Sequence, residues 1–198
     1  MTGPAGYGAT PARSRLFVAL RLPLRVREGI ARATDALRAL EGVRPVPVER
    51  LHLTLRFIGG TEQSREAPLA REIAAAAADL PRFDLRLRAA GVFPSLRRAR
   101  VIWVGVEDAP ALFDLHGSVE AAVVRAGIAP EPRPFRPHVT VGRIRRPPAP
   151  RGLADAIARV RFETTVAVEE VSLMRSKLLP RGARHIEVAS CPLAGTGA

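Results

Sequence analysis

Apolar residues recur along this chain with two spacings, and the change from one to the other predicts an order of strands and helices. Alternation and short apolar runs predict strands over 15–22, 51–55, 83–88, 101–106, 137–141, 164–174 and 185–190. Apolar positions three or four residues apart predict helices over 26–40, 62–79, 112–123 and 153–160. The first helix is expected to end at Gly42, and Gly59–Gly60 is expected to close the second strand. The run 101–106 is apolar enough to be a central strand.

Two of these strands carry the same short pattern, a His-x-Thr tripeptide inside an apolar, β-branched run. One copy is Leu51-His-Leu-Thr-Leu55 and the other is Pro137-His-Val-Thr-Val141, so that His52 and His138 are 86 residues apart. Side chains alternate across a strand, so each histidine shares a face with the threonine two residues later. Their separation of about 6.6 Å suits a phosphate held between imidazole and hydroxyl. Two copies indicate a duplicated half-site.

The order of elements around the two motifs is also repeated. A helix, a Pro-rich bend and a His-x-Thr strand follow one another twice, with the bends at 44–47 and 130–137. The repeat predicts an α+β protein of two similar lobes, each adding one motif strand to a central cleft. A chain of 198 residues is long enough for one domain or for two such fused lobes.

Two imidazoles in one cleft can hydrolyse a cyclic phosphodiester. One neutral histidine takes a proton from the attacking water, and one protonated histidine gives a proton to the leaving alkoxide. Thr54, Thr140 and nearby basic groups would bind the non-bridging oxygens. Arg56 is such a group, because in a regular strand it lies on the same face as His52. If protein donors bind the phosphate, no metal or other cofactor is needed.

Charge and cysteine content narrow the class of partner. The net charge is +12, and arginine supplies nearly all of the positive charge because Lys177 is the only lysine. The planar fork of arginine binds phosphate oxygens in pairs, which favours an anionic partner such as RNA. The alternative is that many of these arginines are ordinary solvated surface. Cys191 is the only cysteine, which excludes an internal disulfide and a thiolate metal cluster within the chain.

Other chemistries fit the sequence less well. A zinc site is disfavoured because neither motif has a second His, Cys, Asp or Glu at same-face spacing. The chain also lacks a Gly-x-Ser-x-Gly nucleophile turn and a Gly-rich phosphate loop. His116 shares a predicted helix face with Leu112 and Val119, which favours a structural role, and the role of His185 is open.

The two motifs and four further segments together resemble the two-histidine phosphoesterases. The segments are Arg15-Leu-Phe-Val-Ala19, Phe93-Pro-Ser95, Arg100-Val-Ile-Trp103 and Arg133-Pro-Phe-Arg-Pro-His138. More narrowly, residues 15–193 are similar to the bacterial and archaeal RNA 2′,3′-cyclic phosphodiesterases, also called LigT-like proteins or 2′-5′ RNA ligases. The resemblance implies a bilobal fold, with two pseudo-symmetric lobes, antiparallel sheets lining a central cleft and helices outside.

The same resemblance implies an activity and a set of roles. It implies metal-independent hydrolysis of RNA 2′,3′-cyclic phosphate ends to 2′-phosphomonoesters. His52 would give the proton to the leaving 3′-oxygen, and His138 would activate water. Thr54 and Thr140 would bind the phosphate oxygens.

Two residues depart from the simplest expectation: Arg143 does not fit a regular strand, and His185 differs from the residue that is usual in the family. The family's basic residue five positions after the second motif histidine falls on Arg143, a candidate phosphate contact. Arg143 has the wrong parity for the face of His138, so its use requires a bulge or the end of the strand near Gly142. His185 stands where many relatives carry a tyrosine three residues after a glycine, here Gly182. Substrate contacts on that side are therefore open.

Hydrolysis has two alternatives, which are ligation of RNA (tRNA) halves through a 2′-5′ bond at the same site and RNA-end binding without catalysis. Retention of both motif histidines disfavours the second.

We expect a disordered lead-in at 1–14, one bilobal catalytic domain at 15–193 and a flexible tail at 194–198. The sequence lacks a signal-peptide pattern and an apolar run of membrane-spanning length, which predicts a cytoplasmic protein without a membrane partner. We expect a monomer.

Overall fold

The computed structural model of the protein describes residues 13–195 apart from 108, 146–148 and 180–181. The strands within these residues are β1 Arg13–Arg21, β2 Val43–Pro45, β3 His52–Glu62, β4 Phe83–Phe93, β5 Val101–Val106, β6 His138–Ile144, β7 Glu163–Val168, β8 Glu170–Leu179 and β9 Gly182–Pro192. The helices are α1 Leu24–Ala33, α2 Asp35–Arg38, α3 Glu66–Ala78, α4 Pro110–Arg125 and α5 Leu153–Arg159.

The strands form one antiparallel sheet in the order β7-β4-β5-β6-β3-β1-β8-β9, and β2 pairs with the end of β6. This order divides at its centre into two halves, β6-β5-β4-β7 and β3-β1-β8-β9. Each half begins at the centre with a motif strand. The arrangement confirms the expected α+β fold of two pseudo-symmetric lobes, and it joins the lobes through a continuous sheet.

In the part of the chain that the structure describes, the two halves of the sheet share one ladder pair, Leu53 on β3 with Val139 on β6. Both side chains are fully buried and point into the hydrophobic core. Helix α4 packs on β3, and α3 packs on α4, β8 and β9. The buried residues of these helices recur three or four positions apart, as Leu69 and Ile73 do on α3, because only one side of each helix faces the core. The opposite face of the sheet is left for the motif side chains.

Several predicted element boundaries are wrong, each for a local reason. The helix expected over 26–40 breaks at Thr34, whose hydroxyl donates to the Ile30 carbonyl at 2.7 Å and competes with the helical ladder. The strand expected over 164–174 is two strands, β7 and β8, in different halves of the sheet. Gly59–Gly60 does not close β3, because both glycines remain paired with β1.

Ordered backbone contacts extend slightly beyond residues 15–193 at both ends. Arg13 and Ser14, expected in the lead-in, pair with the end of β3. Ala194, expected in the tail, donates its N–H to the Leu80 carbonyl at 2.9 Å. The rest of the expected lead-in, 1–12, and residues 196–198 of the tail lie outside the described residues. Among the helices that the structure describes, none is both long and apolar enough to cross a membrane.

Candidate active site

The two motif histidines are the first residues of the two central strands. His52 begins β3 and His138 begins β6, next to the paired Leu53 and Val139. Continuing this antiparallel register by one residue in each direction places each histidine opposite the threonine of the other motif. Opposite side chains have Cβ atoms about 4.5–5.5 Å apart. The two imidazoles and two hydroxyls therefore share the face of the sheet that points away from the core, here named the cleft face.

Both imidazole rings are oriented by the same local hydrogen bond. Nδ1 of His52 lies 2.7 Å from the carbonyl oxygen of Arg50, and Nδ1 of His138 lies 2.7 Å from that of Arg136. A carbonyl oxygen only accepts, so in each ring Nδ1 carries a proton and donates it. Nε2 is then the ring nitrogen that exchanges a proton with a ligand.

Burial makes both imidazoles weaker bases than free histidine. It is the main cause that lowers the pKa of His52 from 6.5 to about 4; the Arg50 carbonyl opposes it, and positive charge on His185, His138 and Arg143 adds to it. Burial also lowers the pKa of His138, again with a contribution from Arg143. Both rings are therefore neutral near pH 7 in the free protein. A bound phosphodiester would raise both pKa values, because its charge is negative.

A β-bulge brings Arg143 to the cleft face. The register of β6 against β5 shifts between Ile102 and Trp103, which leaves Val141 without a partner. The extra residue reverses the alternation of side chains after it. Arg143 is accordingly exposed on the face of His138, and its charge acts on both motif histidines. The β-bulge that a phosphate contact by Arg143 required is therefore present in β6.

The equivalent bulge in β3 has the opposite effect on Arg56. The register of β3 against β1 skips Leu55, so that Leu55 and Arg56 are buried in succession. The prediction that Arg56 shares the face of His52 is wrong, because it assumed a regular strand. Phe57 follows in the exposed position and is 53% accessible, whereas Arg56 is 5% accessible.

The guanidinium of Arg56 is surrounded by protein acceptors. Nη1 donates to the Phe57 carbonyl at 2.7 Å, and Nη2 donates to the Ala129 carbonyl at 2.5 Å. Nε lies 2.5 Å from a carboxylate oxygen of Glu120, and Nη1 lies 3.3 Å from one of Glu131. We therefore do not include Arg56 among the proposed phosphate contacts.

Aromatic rings line the cleft face beside each histidine. The ring of Phe17 lies 5.0 Å from that of His52, and the ring of Phe93 lies 5.1 Å from that of His138. Trp103, which pairs with β6 in the second half, lies 5.1 Å from Phe93. These aromatic residues stood in the family-like segments, but sequence reasoning gave them no role, because their position depends on strand register.

His185 also lies beside His52. Its ring centroid is 5.3 Å from that of His52 and 4.9 Å from that of Phe17. A cavity of about 140 Å³ opens here, lined by these rings together with Arg50 and Met174. A larger cavity of about 350 Å³ lies elsewhere, between the end of β1 and β7, and contains neither motif.

The residues considered for other chemistry are not grouped in the described structure. Among the described residues, no three His, Cys, Asp or Glu side chains are placed to hold a metal ion. His116 stacks on Phe135 with ring centroids 4.0 Å apart and planes 8° apart, which agrees with its predicted structural role. Cys191 is buried, and burial raises the pKa of its thiol.

The sequence profile of the 2′-5′ RNA ligase superfamily matches residues 26–178, a span that includes both motifs. The chain belongs to the 2′-5′ RNA ligase superfamily. The resemblance stated from the motifs is therefore confirmed.

Relatives in sequence and structure agree with this membership. The chain is 34% identical over 171 residues to the RNA 2′,3′-cyclic phosphodiesterase of Methanothermobacter thermautotrophicus, covering 85% of this chain and 92% of the relative. It is 36% identical over 176 residues to the protein of the same name from Thermus thermophilus, covering 85% and 84%. The crystal structure of Escherichia coli LigT complexed with 3′-AMP has a TM-score of 0.76 and 28% identity, covering 92% of this chain and 99% of LigT.

Proposed function

We propose that this protein is an RNA 2′,3′-cyclic phosphodiesterase that opens the cyclic phosphate to a 2′-phosphomonoester. The observation that carries the proposal is the pairing of β3 with β6, which sets each motif histidine opposite the threonine of the other motif. Two oriented imidazoles supply the acid and the base that in-line opening of the ring requires. Relatives named RNA 2′,3′-cyclic phosphodiesterase, at 34% and 36% identity, support the same activity.

The proposed reaction moves one proton at each histidine. Nε2 of His138 takes a proton from water, whose oxygen attacks phosphorus in line with the 3′-oxygen. The bond between phosphorus and the 3′-oxygen breaks, and Nε2–H of His52 gives its proton to that oxygen. The hydroxyls of Thr54 and Thr140 donate to the non-bridging oxygens, and Arg143 adds positive charge. The product carries a 2′-phosphate and a 3′-hydroxyl, and proton exchange with water resets the two imidazoles.

The assignment of His52 as the acid follows the family resemblance, and its low pKa sets a condition on that role. With a pKa of about 4, His52 is neutral in the free protein near pH 7. The negative charge of the bound diester stabilises the protonated ring, so substrate binding and protonation of His52 occur together. No cofactor takes part in this scheme.

RNA is the partner that the charge of the chain favours. The net charge of +12 and the arginine-rich composition attract a polyanion. We propose residues 15–193 as the catalytic domain of a cytoplasmic monomer. Hydrolysis and ligation of RNA halves use the same pair of imidazoles in opposite directions.

The test is incubation of the purified protein, with EDTA present, with an oligoribonucleotide that ends in a 2′,3′-cyclic phosphate. We expect a 2′-phosphate product, and we expect His52→Ala and His138→Ala each to lower kcat by about 10²–10⁴-fold. An Arg175→Met variant is the control, because Arg175 pairs with the buried Glu66 and joins β8 to α3 away from the motifs. Near-normal turnover by either motif variant would contradict the assignment.

Three further assays distinguish hydrolysis of RNA ends from the alternative functions. Joining of a cyclic-phosphate RNA to a 5′-hydroxyl RNA would identify ligation. Tight binding of the same RNA without product would identify an end-binding module. Turnover of small cyclic nucleotides but not of RNA would identify small cyclic nucleotides as the substrate class.

A further inference from the structure

Arg56 connects the two motif halves from inside the protein, and we propose that it is a positioning residue that holds His138 in place. The inference rests on the proposed function. Arg56 lies on β3, four residues after His52, yet two of its four acceptors lie on the segment that leads into the other motif. That segment, residues 126–137 between α4 and β6, is here named the connector.

The contacts of Arg56 hold the first half of the connector. Nη2 of Arg56 donates to the Ala129 carbonyl at 2.5 Å, and Nη1 lies 3.3 Å from the Glu131 carboxylate. The third partner, Glu120 on α4, lies 2.5 Å from Nε of Arg56 and also accepts the Glu131 N–H at 2.8 Å. One guanidinium thus joins β3, α4 and the connector.

The connector is held a second time by stacking. The ring of Phe135 lies 4.0 Å from His116 and 5.7 Å from Phe113, both on α4. Between the two attachments the chain contains Pro132 and Pro134, whose rings fix φ and stiffen the segment. A shift at the start of the connector is therefore transmitted along it.

The far end of the connector orients the catalytic ring. The carbonyl oxygen that accepts the Nδ1–H of His138 belongs to Arg136, the penultimate connector residue. Moving the connector moves this carbonyl and, with it, the direction of Nε2 of His138. β3 and β6 share only the ladder pair Leu53–Val139 in the described structure, and the Arg56 contacts add a polar connection between the halves.

Arginine is suited to this role in a way that other residues are not. A buried charge is costly unless it is paired and hydrogen-bonded. The fork of Arg56 reaches two carbonyls and two carboxylates from three different segments. Lysine presents a compact charge at the end of a flexible stem and cannot reproduce that spread.

The test compares Arg56→Met and Arg56→Lys with Arg175→Met in turnover of an RNA 2′,3′-cyclic phosphate. Arg175 is a matched control, because it pairs with the buried Glu66 and joins β8 to α3 away from the connector. We expect Arg56→Met to lower kcat by about 10²-fold with little change in KM, as for a displaced catalytic group. We expect Arg56→Lys to fall between Arg56→Met and the parent, and Arg175→Met to keep the parent kcat.

A measurement that needs no turnover accompanies the kinetics. In ¹⁵N spectra of the imidazoles, the parent should show His138 with its proton on Nδ1. In Arg56→Met we expect His138 to lose this fixed tautomer while His52, which bonds to Arg50, keeps it. In Arg175→Met both histidines should keep the parent signals.

The outcomes separate this inference from the proposed function. If Arg56→Met and Arg175→Met match each other in kcat and in the His138 signal, the positioning role is overturned while the activity of the parent stands. If the parent itself does not hydrolyse the RNA, the proposed function fails and the His138 spectra decide the positioning role alone. Should Arg56→Met not fold, Glu131→Gln replaces it, with a smaller effect of the same kind expected; parent-like kcat and His138 signals in Glu131→Gln overturn the role.

Discussion

At the scale of single residues, the proposed chemistry depends on a hydrogen bond from each motif histidine to the backbone carbonyl of the residue two positions before it. The carbonyls of Arg50 and Arg136 fix the Nδ1 proton, and this leaves Nε2 of each ring for the substrate. The motif itself needed only local alternation of side chains, so the positions of His52 and His138 could be predicted from the sequence. The carbonyl partners are backbone groups, and their role has no sequence signal.

The lowered pKa values predict an acidic optimum for kcat/KM. The active free protein has His52 protonated and His138 neutral, and both pKa values lie below 6.5, that of His52 at about 4. The product of the two fractions rises and then falls with pH, so we expect a maximum below pH 6.5. The kcat optimum should lie higher, because bound substrate raises the pKa of His52.

Steady-state kinetics across the acidic and neutral range test this prediction. The Arg175→Met variant, which leaves the cleft face unchanged, should keep the same profile. A kcat/KM that rises to a plateau above pH 7 would exclude protonated His52 as the acid.

Arg143 should affect both binding and the two imidazoles. Arg143→Ala removes the proposed phosphate contact, so we expect kcat/KM to fall by about 10²–10³-fold. Its positive charge lowers the pKa of His52 and of His138, so its removal should raise both. NMR titration of the histidine Cε1 protons measures this shift. Arg143→Lys keeps the charge and should leave both pKa values near those of the parent; identical titrations of the parent and Arg143→Ala would contradict the prediction.

At the scale of elements, the paired bulges decide which predicted side chains reach the site. Counting residues along a regular strand placed Arg56 on the cleft face and Arg143 off it. One extra residue, Leu55 in β3 and Val141 in β6, reverses both placements. A bulge is set by pairing with a neighbouring strand, so parity along one segment cannot reveal it. The division of 164–174 into β7 and β8 was missed for the same reason, since only Glu169 separates two alternating runs.

Gly91 in β4 should be intolerant of a side chain. A Cβ at this position would lie 2.3 Å from Cζ2 of Trp103, so Gly91→Ala must displace the indole. We expect a loss of about 1–3 kcal/mol in the free energy of unfolding. Trp103 is the only tryptophan, so its fluorescence reports the displacement directly.

Gly117 supplies the control for this substitution. It lies in α4, is exposed, and a Cβ there would meet no atom within 4 Å. Gly117→Ala should raise the free energy of unfolding by up to about 1 kcal/mol, because alanine favours a helix. Urea denaturation measures both variants, and equal stability of the two would show that the indole does not require Gly91.

At the scale of the whole molecule, charge should govern binding of long RNA. With a net charge of +12, we expect the logarithm of the binding constant to fall linearly with the logarithm of salt concentration, by about 0.7 per phosphate neutralised. A cyclic-phosphate dinucleotide has fewer phosphates and should show a shallower slope. Fluorescence anisotropy measures both slopes; equal slopes would mean that the arginines outside the site are ordinary surface.

The repeated order of helix, bend and strand also predicted the two lobes at this scale. It could not show that they share one sheet, because the strand pairing between them in the described residues is one tertiary pair, Leu53 with Val139, between distant segments. The cluster of Phe17, His185 and His52 could not be predicted from the sequence either. Its residues lie on β1, β9 and β3, which are distant along the chain and come together only when the chain folds.

The strand order has a consequence for synthesis of the chain. The half that contains β3 is completed by β8 and β9, which leave the ribosome after all of the strands of the other half. His185 on β9 lies beside His52, so a nascent or truncated chain that lacks these late strands has an unfinished site. We therefore expect hydrolysis of RNA ends to begin only after β9 has been synthesised.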